Sequence, residues 1–375
     1  MYYEMEVSTG PLCLHSERWT RFMHDYVRGE FFFDASVPNK QICRAVTESS
    51  QVAEARRSAT ALARGVGFNE TATGQVALVV TELATNLVKH ATNGVLVLRV
   101  VSEANGSSVE VLALDAGPGI ADITACVRDG YSTAGSPGTG LGAIIRLSSL
   151  SEIYSLQGKG TAVLARLQPQ DAGAAREPTV SCLPATIGAV CLPRTGETEC
   201  GDAWAIDQRS RRVVVMVADG LGHGQLAAEA AQEAVRVFRA RSTLAPAALL
   251  EVTHTALRGT RGAAVAVAEI DLTQQIVSFA GVGNIAGTVL TPGGRYGLTS
   301  HNGIVGYAVP KIQAFTYPWT DKTLLVMYSD GLLSRWDLDA YPGLALRHPS
   351  LAAGVLYRQY ARGRDDVTVV VVRAS

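Results

Sequence analysis

The stretch Val213–Gly224, VVVMVADGLGHG, limits what this chain can fold into more than any other. An unbroken run of apolar β-formers from Val213 to Val217 suits a strand covered on both faces. Such a strand needs neighbours in a sheet and a packed layer over each side. The run ends on Asp219, and Gly220, Gly222 and Gly224 follow. Glycines let the backbone turn sharply and approach a ligand closely. A carboxylate fixed there is either a turn residue or a ligand for a hard cation, and this stretch alone leaves both open.

Three other stretches repeat the arrangement. Gly201–Asp202 opens a strand, LLVMYSDGLLS (Leu324–Ser334) runs an apolar strand into Asp330–Gly331, and GRDDVTVVVV (Gly363–Val372) places Asp365 and Asp366 before a final apolar strand. Carboxylates at the ends of four strands suggest convergence on one edge of a pair of sheets. Oxygen ligands without Cys or His suit Mg²⁺ or Mn²⁺ better than zinc.

At 375 residues, the chain fits two domains better than one. Hydrophobic residues at 47% against 18% charged allow real cores and argue against disorder. A net charge of −1 with no basic block gives nucleic acid no electrostatic footprint. No apolar run reaches membrane-spanning length, and the start, MYYEMEVSTG, lacks a basic region leading into an apolar one. A cytoplasmic protein without membrane contact is therefore expected. The six cysteines are scattered without a CxxC pair and read as reduced thiols. The sequence leaves a homodimer open.

Residues 1–40 show no clear period and read as an N-terminal extension. Residues 41–168 alternate strand and helix: a strand at QICRAV, helices over Val52–Arg64 and Thr71–Ala91, strands over Val95–Ser102 and Ser108–Leu114, a glycine-punctuated region, a short helix over Ala143–Leu150, and a closing hairpin. This is an α/β sandwich with helices on one face of a mixed sheet. Residues 169–184, rich in proline and small residues, read as a linker. Over 185–375 strands dominate, interrupted by helices at Gln225–Arg241 and Pro246–Arg258, which suits two packed sheets flanked by helices.

The first domain carries its own polar pattern. Glu82 and Asn86 are four apart, on one face of the Thr71–Ala91 helix. LALDAGPGI ends a buried-type strand on Asp115, with Gly117 and Gly119 beyond it. SPGTGLGAIIRL places Gly138, Gly140 and Gly142 at the start of a helix, where free N–H groups favour phosphate. GKGT, with Thr161, closes the last hairpin.

In this order the motifs resemble the GHKL ATPase superfamily, and the wording is most similar to RsbT-type switch kinases. The resemblance implies that Asp115 binds the adenine of ATP and that Asn86 holds Mg²⁺. It also implies that Gly117, Gly119, Gly138, Gly140 and Gly142 shape the pocket, with Thr161 at its adenine end. Glu82 would be the base that prepares a partner's hydroxyl. The second domain, with VADGLGHG, GTRGAAVAVAEID and RDDVTVVVV, resembles PPM-type phosphatases of the SpoIIE-like branch, RsbX above all. That resemblance implies an αββα sandwich and hydrolysis of phosphoserine or phosphothreonine at two Mg²⁺ or Mn²⁺ ions. Asp219 would bridge them, the Gly220 carbonyl would join one, Asp330 and Asp365 the other, and Asp202 would bind metal or its water. Asp366 is the weaker of its pair, and His223 is either an acid for the leaving oxygen or a loop-shaping residue. Together the halves imply an α+β partner-switching regulator that phosphorylates and dephosphorylates a STAS-domain protein. The alternative is a phosphatase whose ATP-binding half only senses nucleotide or binds the partner.

Overall fold

Two helices and a five-stranded sheet open the described part of the chain. The computed structural model describes residues 41–103, 106–127, 140–169, 183–309, 311–320 and 322–374. The extension at 1–40, most of the expected linker and Gly138 lie outside the described residues.

Helix α1 (Ser49–Gly65) packs through Ala55, Ala59 and Ala63, small residues that let it approach α2 (Glu70–His90) closely. Asn69 caps α2 by accepting from the Ala72 N–H at 2.8 Å. Val76, Val79, Val80, Leu83 and Leu87 form the face that α2 buries on the sheet. That sheet contains β1 (Ile42–Ala45), β2 (Val95–Glu103), β3 (Gly106–Leu114), β4 (Leu150–Leu156) and β5 (Gly160–Leu167), in the order β1-β2-β3-β5-β4. Expected as mixed, it pairs antiparallel at every junction. The connection holding α3 (Ile123–Val127) and α4 (Gly140–Leu147) delivers β4 to the outer edge, and the tight β4–β5 turn brings β5 back antiparallel to both neighbours.

The C-terminal half is two face-to-face sheets. One contains β7 (Asp202–Arg209), β8 (Arg212–Gly220), β9 (Ala263–Asp271), β10 (Ile276–Val282) and β13 (Phe315–Pro318). The other contains β6 (Ala185–Leu192), β11 (Ala286–Thr291), β12 (Gly294–Leu298), β14 (Leu324–Tyr328) and β15 (Val367–Ala374). Trp204, Val215, Phe279, Leu325 and Val370 are among the residues that fill the space between them. Helices α5 (Gln225–Arg241) and α6 (Pro246–Ala256) cover the outer face of the first sheet. Helix α7 (Pro349–Tyr360) covers the outer face of the second, completing the αββα order.

The sequence reading missed α7, and the reason is physical. Leu351, Ala352, Ala353, Val355 and Leu356 are all buried, so the helix shows no single apolar stripe. One side of α7 lies on the second sheet, and the other lies on the free face of the N-terminal sheet, against Leu112, Leu114 and Leu164. A Cβ at Gly354 would come within 2.6 Å of a Leu112 methyl, so only glycine fits there without displacement. The N-terminal sheet is therefore covered on both faces, which explains the near-continuous apolar run in β3.

Several polar groups buried at this junction pair with one another, while Arg99 Nη1 is buried without a partner. Arg99 and Arg166 each reach Glu110 at 2.6 Å, and Ser350 on α7 donates to Glu110 at 3.2 Å. Burial pushes the Glu110 carboxyl up, but the two guanidiniums outweigh it and hold it well below the usual carboxylate range. Gln41 spans the domains, donating to the Ala189 carbonyl at 3.0 Å and accepting from the Cys191 N–H at 3.1 Å.

His348 caps α7, its Nδ1 accepting from the Ser350 N–H at 3.1 Å. Burial lowers its pKa to about 4. The folded protein thus keeps this imidazole neutral where an unfolded chain takes up a proton. Stability should be full above pH ~6.5 and fall as pH drops toward ~4, by up to about 3 kcal/mol. Urea unfolding at pH 7 and pH 5 should show the loss, and His348→Gln should flatten it.

Candidate active sites

At the N-terminal site, α2 presents Glu82 and Asn86 toward the start of α4. A Cβ at Gly140 would lie 2.9 Å from Glu82 Oε2 and 3.9 Å from Asn86 Nδ2, so both side chains reach the backbone at the start of α4. At its far end α2 meets the strand-end turn: the Ala116 N–H donates to the Thr92 carbonyl at 2.9 Å, and a Cβ at Gly117 would come within 3.1 Å of the His90 carbonyl. Asp115 is buried, and its Oδ1 accepts from the Gly117 N–H at 2.7 Å. Burial raises its pKa, offset in part by that hydrogen bond.

The Asp115 N–H donates to the Thr161 carbonyl at 3.0 Å. Thr161 Oγ1 shares a 3.0 Å hydrogen bond with Ser155, which also accepts from the Ile120 N–H at 2.7 Å. Gly119, at φ +77°, sits where a side chain would strike the Leu156 carbonyl at 2.6 Å. Asp115, Gly117, Gly119 and Thr161 thus form one cradle, and Glu82, Asn86 and Gly140 form a second group along the same helix. Gly142 is buried within α4.

From the phosphatase side, α7 reaches this cradle. Arg358 donates to the backbone carbonyls of Asp115, of Thr161 at 3.1 Å and of Lys159 at 2.8 Å.

At the C-terminal site, β7 and β8 set Asp202 directly opposite Asp219. Asp202 is buried. Its Oδ2 accepts from Ser329 at 2.6 Å, while its Oδ1 is buried without a partner. Gly220 ends β8, its N–H bonded to the Gly201 carbonyl at 2.9 Å. Asp330 follows β14 of the other sheet, and Asn284 donates to both Asp330 (2.8 Å) and Asp219 (3.4 Å). Asp366 is buried and accepts from the Arg194 N–H at 2.9 Å, whereas Asp365 is half-buried and accepts from the Asp366 N–H at 3.0 Å.

Burial, then the charges of Asp330 and Asp365, push the Asp219 carboxyl up to about 7. Burial and the Asp219 charge raise Asp202 as well. Carboxylates gathered without a counter-charge behave this way. Among the described residues, no three Asp, Glu, His or Cys side chains close on a common point. His223 is exposed and pairs with Glu197 at 2.8 Å. Sequence reasoning missed Asn284, Ser329 and the burial of Asp366. The only hint was a polar residue in the otherwise apolar strand junction GVGNIAG.

The two halves match separate families. Residues 45–167 match the histidine kinase-like ATPase domain, and residues 209–375 match the stage II sporulation protein E (SpoIIE) family. The serine/threonine-protein kinase RsbT of Bacillus subtilis (strain 168) is 30% identical over 127 residues, covering 34% of this chain and 96% of RsbT. The chain belongs to the RsbT-type histidine kinase-like ATPases, joined to a SpoIIE-type phosphatase domain.

The phosphoserine phosphatase RsbX of the same organism is 26% identical over 146 residues, covering 38% of this chain and 71% of RsbX. A solved structure of RsbX in complex with magnesium aligns with a TM-score of 0.44 at 20% identity, covering 51% of this chain and 96% of that chain. The RsbT-like half is a kinase-like ATPase domain, and the SpoIIE-like half is a PPM-type Ser/Thr phosphatase domain. No helix among the described residues is long and apolar enough to cross a membrane.

Proposed function

We propose that this chain writes and erases one class of mark: its RsbT-like half phosphorylates a serine or threonine on a STAS-domain partner, and its SpoIIE-like half removes such phosphates. The observation that carries the reading is that both polar constellations are present on one chain. Glu82 and Asn86 face Gly140, and Asp202, Asp219 and Asp330 stand at one edge of the sheet pair.

In the kinase half, Asp115 would take the adenine amine of ATP, with Gly117, Gly119 and Thr161 around it. Gly138, Gly140 and Gly142 would serve the phosphates, and Asn86 the accompanying Mg²⁺. Glu82 would accept the proton of the attacking hydroxyl. Positioning and charge supply most of the catalysis in phosphoryl transfer.

In the phosphatase half, the donor set fits Mg²⁺ or Mn²⁺: hard carboxylates, an unpartnered buried Asp202 Oδ1, and an Asp219 whose charge is unfavourable without a cation. Asp219, the Gly220 carbonyl, Asp330 and Asp365 would hold two such ions, with Asp202 beside them. The ions would supply positive charge to the phosphate and acidify water at neutral pH. Ser329 orients Asp202, and the Arg194 N–H fixes Asp366 against Gly201.

A phosphate-retardation gel of STAS proteins from the same genome, incubated with ATP and this chain, tests the reading. Wild type should give a steady phosphorylated fraction, Asp219→Ala should accumulate phosphoprotein, and Glu82→Ala should give none. Failure of Asp219→Ala to accumulate phosphoprotein would refute the opposed activities for those partners. One observation favours a second reading, in which the ATP half only senses nucleotide: Arg358 ties the Asp115 cradle directly to the phosphatase domain.

A further inference from the structure

We infer that Asn284 is a positioning residue of the carboxylate edge, fixing Asp219 and Asp330 relative to one another for the binding of divalent cations by a hydrogen bond to each. The inference rests on the metal-dependent reading of the phosphatase half.

The topology puts Asn284 where it can do this. Strand β10 belongs to one sheet and β11 to the other, so Gly283–Ile285 is where the chain crosses between sheets. In the first sheet β10 lies beside β9, whose Ala264 sits opposite Asp219. In the second, Ala286 of β11 sits opposite Tyr328, two residues before Asp330. The crossing therefore lies between the two strands that deliver these carboxylates, one from each sheet.

The turn is also fixed in place. Gly283 has φ +98°, and a side chain there would collide with Ala264. Its N–H donates to the His301 carbonyl at 2.9 Å, the His301 N–H donates to the Gly281 carbonyl at 2.8 Å, and Ser300 donates to the Ile285 carbonyl at 2.9 Å. Asn284 is thus presented from a braced backbone, as a group that must set a distance has to be.

The side-chain chemistry fits. A primary amide carries two N–H donors on one nitrogen, and here that nitrogen serves Asp330 at 2.8 Å and Asp219 at 3.4 Å. Two carboxylates from different sheets repel each other and have no covalent reason to keep one spacing. A neutral double donor between them limits that repulsion and orients an oxygen of each. Alanine would leave both unbraced, and aspartate would add a further negative charge to the edge. Residues that orient metal ligands typically change affinity by about 10–100-fold when removed.

The test measures Mn²⁺ binding to the full-length, chelator-stripped protein by the electron paramagnetic resonance signal of free Mn²⁺, alongside hydrolysis of p-nitrophenyl phosphate. Asn284→Ala should weaken Mn²⁺ binding by about 10–100-fold. Its turnover at saturating Mn²⁺ should stay within tenfold of wild type, because the ligands themselves remain. Asn284→Asp should melt lower than wild type without metal and gain more in melting temperature when Mn²⁺ is added. If wild type binds Mn²⁺ and Asn284→Ala binds it within twofold of the same affinity, the positioning role is overturned. It is overturned equally if Asn284→Asp matches wild type in both melting curves. If wild type binds no Mn²⁺, the metal reading of the domain fails instead.

Discussion

An Asp219→Ala variant is expected to lose Mn²⁺-dependent hydrolysis of p-nitrophenyl phosphate by roughly 1000-fold or more, because charge supplied at a phosphoryl centre contributes several kcal/mol to the transition state. Asp219 is the carboxylate most affected by its neighbours: Asp202 stands across the strand pair, and the charges of Asp330 and Asp365 add to burial in raising its pKa. Without metal, the variant should melt no lower than wild type, since removing one of several crowded carboxylates relieves repulsion. Thermal melting in chelator, run beside the activity assay, separates lost chemistry from lost fold. Activity within tenfold of wild type would take Asp219 out of the centre.

The second large effect is expected at Glu82. Glu82→Ala should lower phosphate transfer to a STAS partner by about 10²–10⁴-fold, the span typical of a general base. Nucleotide affinity should change little, because the Asp115 cradle lies at the other end of α2 and is held by Gly117, Ser155 and Thr161 rather than by Glu82. Radiolabelled phosphate incorporation and fluorescent-nucleotide titration measure the two separately. Equal losses in both would make Glu82 a binding residue rather than a base.

Much of this was legible in the residues because it is local. The run before Asp219 announces a buried strand, and β8 spans Arg212–Gly220. Helix α5 occupies Gln225–Arg241 as its alternating small and apolar residues require. Glu82 and Asn86 share a face because helical spacing dictates it, and Asp115 stands at its strand end for the same kind of reason. What was hidden depends on distant parts of the chain meeting. Helix α7 is buried on two sides by different domains, so its periodicity is erased. Asn284 gains its role only because two sheets stack with the crossing between them. The exposed, glycine-broken β12 is a strand because β11 offers it an edge, as Val289 opposite Tyr296 shows.

Helix α7 has a consequence for how the molecule comes apart. Among the described residues it is the one long helix on its side of the phosphatase sandwich, and the kinase-side sheet serves as the next layer over it. Neither half has a finished surface there. Cutting the chain between the domains would leave two fragments still joined by that apolar seam, the Gln41 bridges and the Glu110 cluster. The pair would stay together through a sizing column and melt as one body in one transition. Pulled apart, each fragment would show water a sheet or helix face built for the interior. The covalent link then fixes stoichiometry, while the seam makes the two halves a single thermodynamic object.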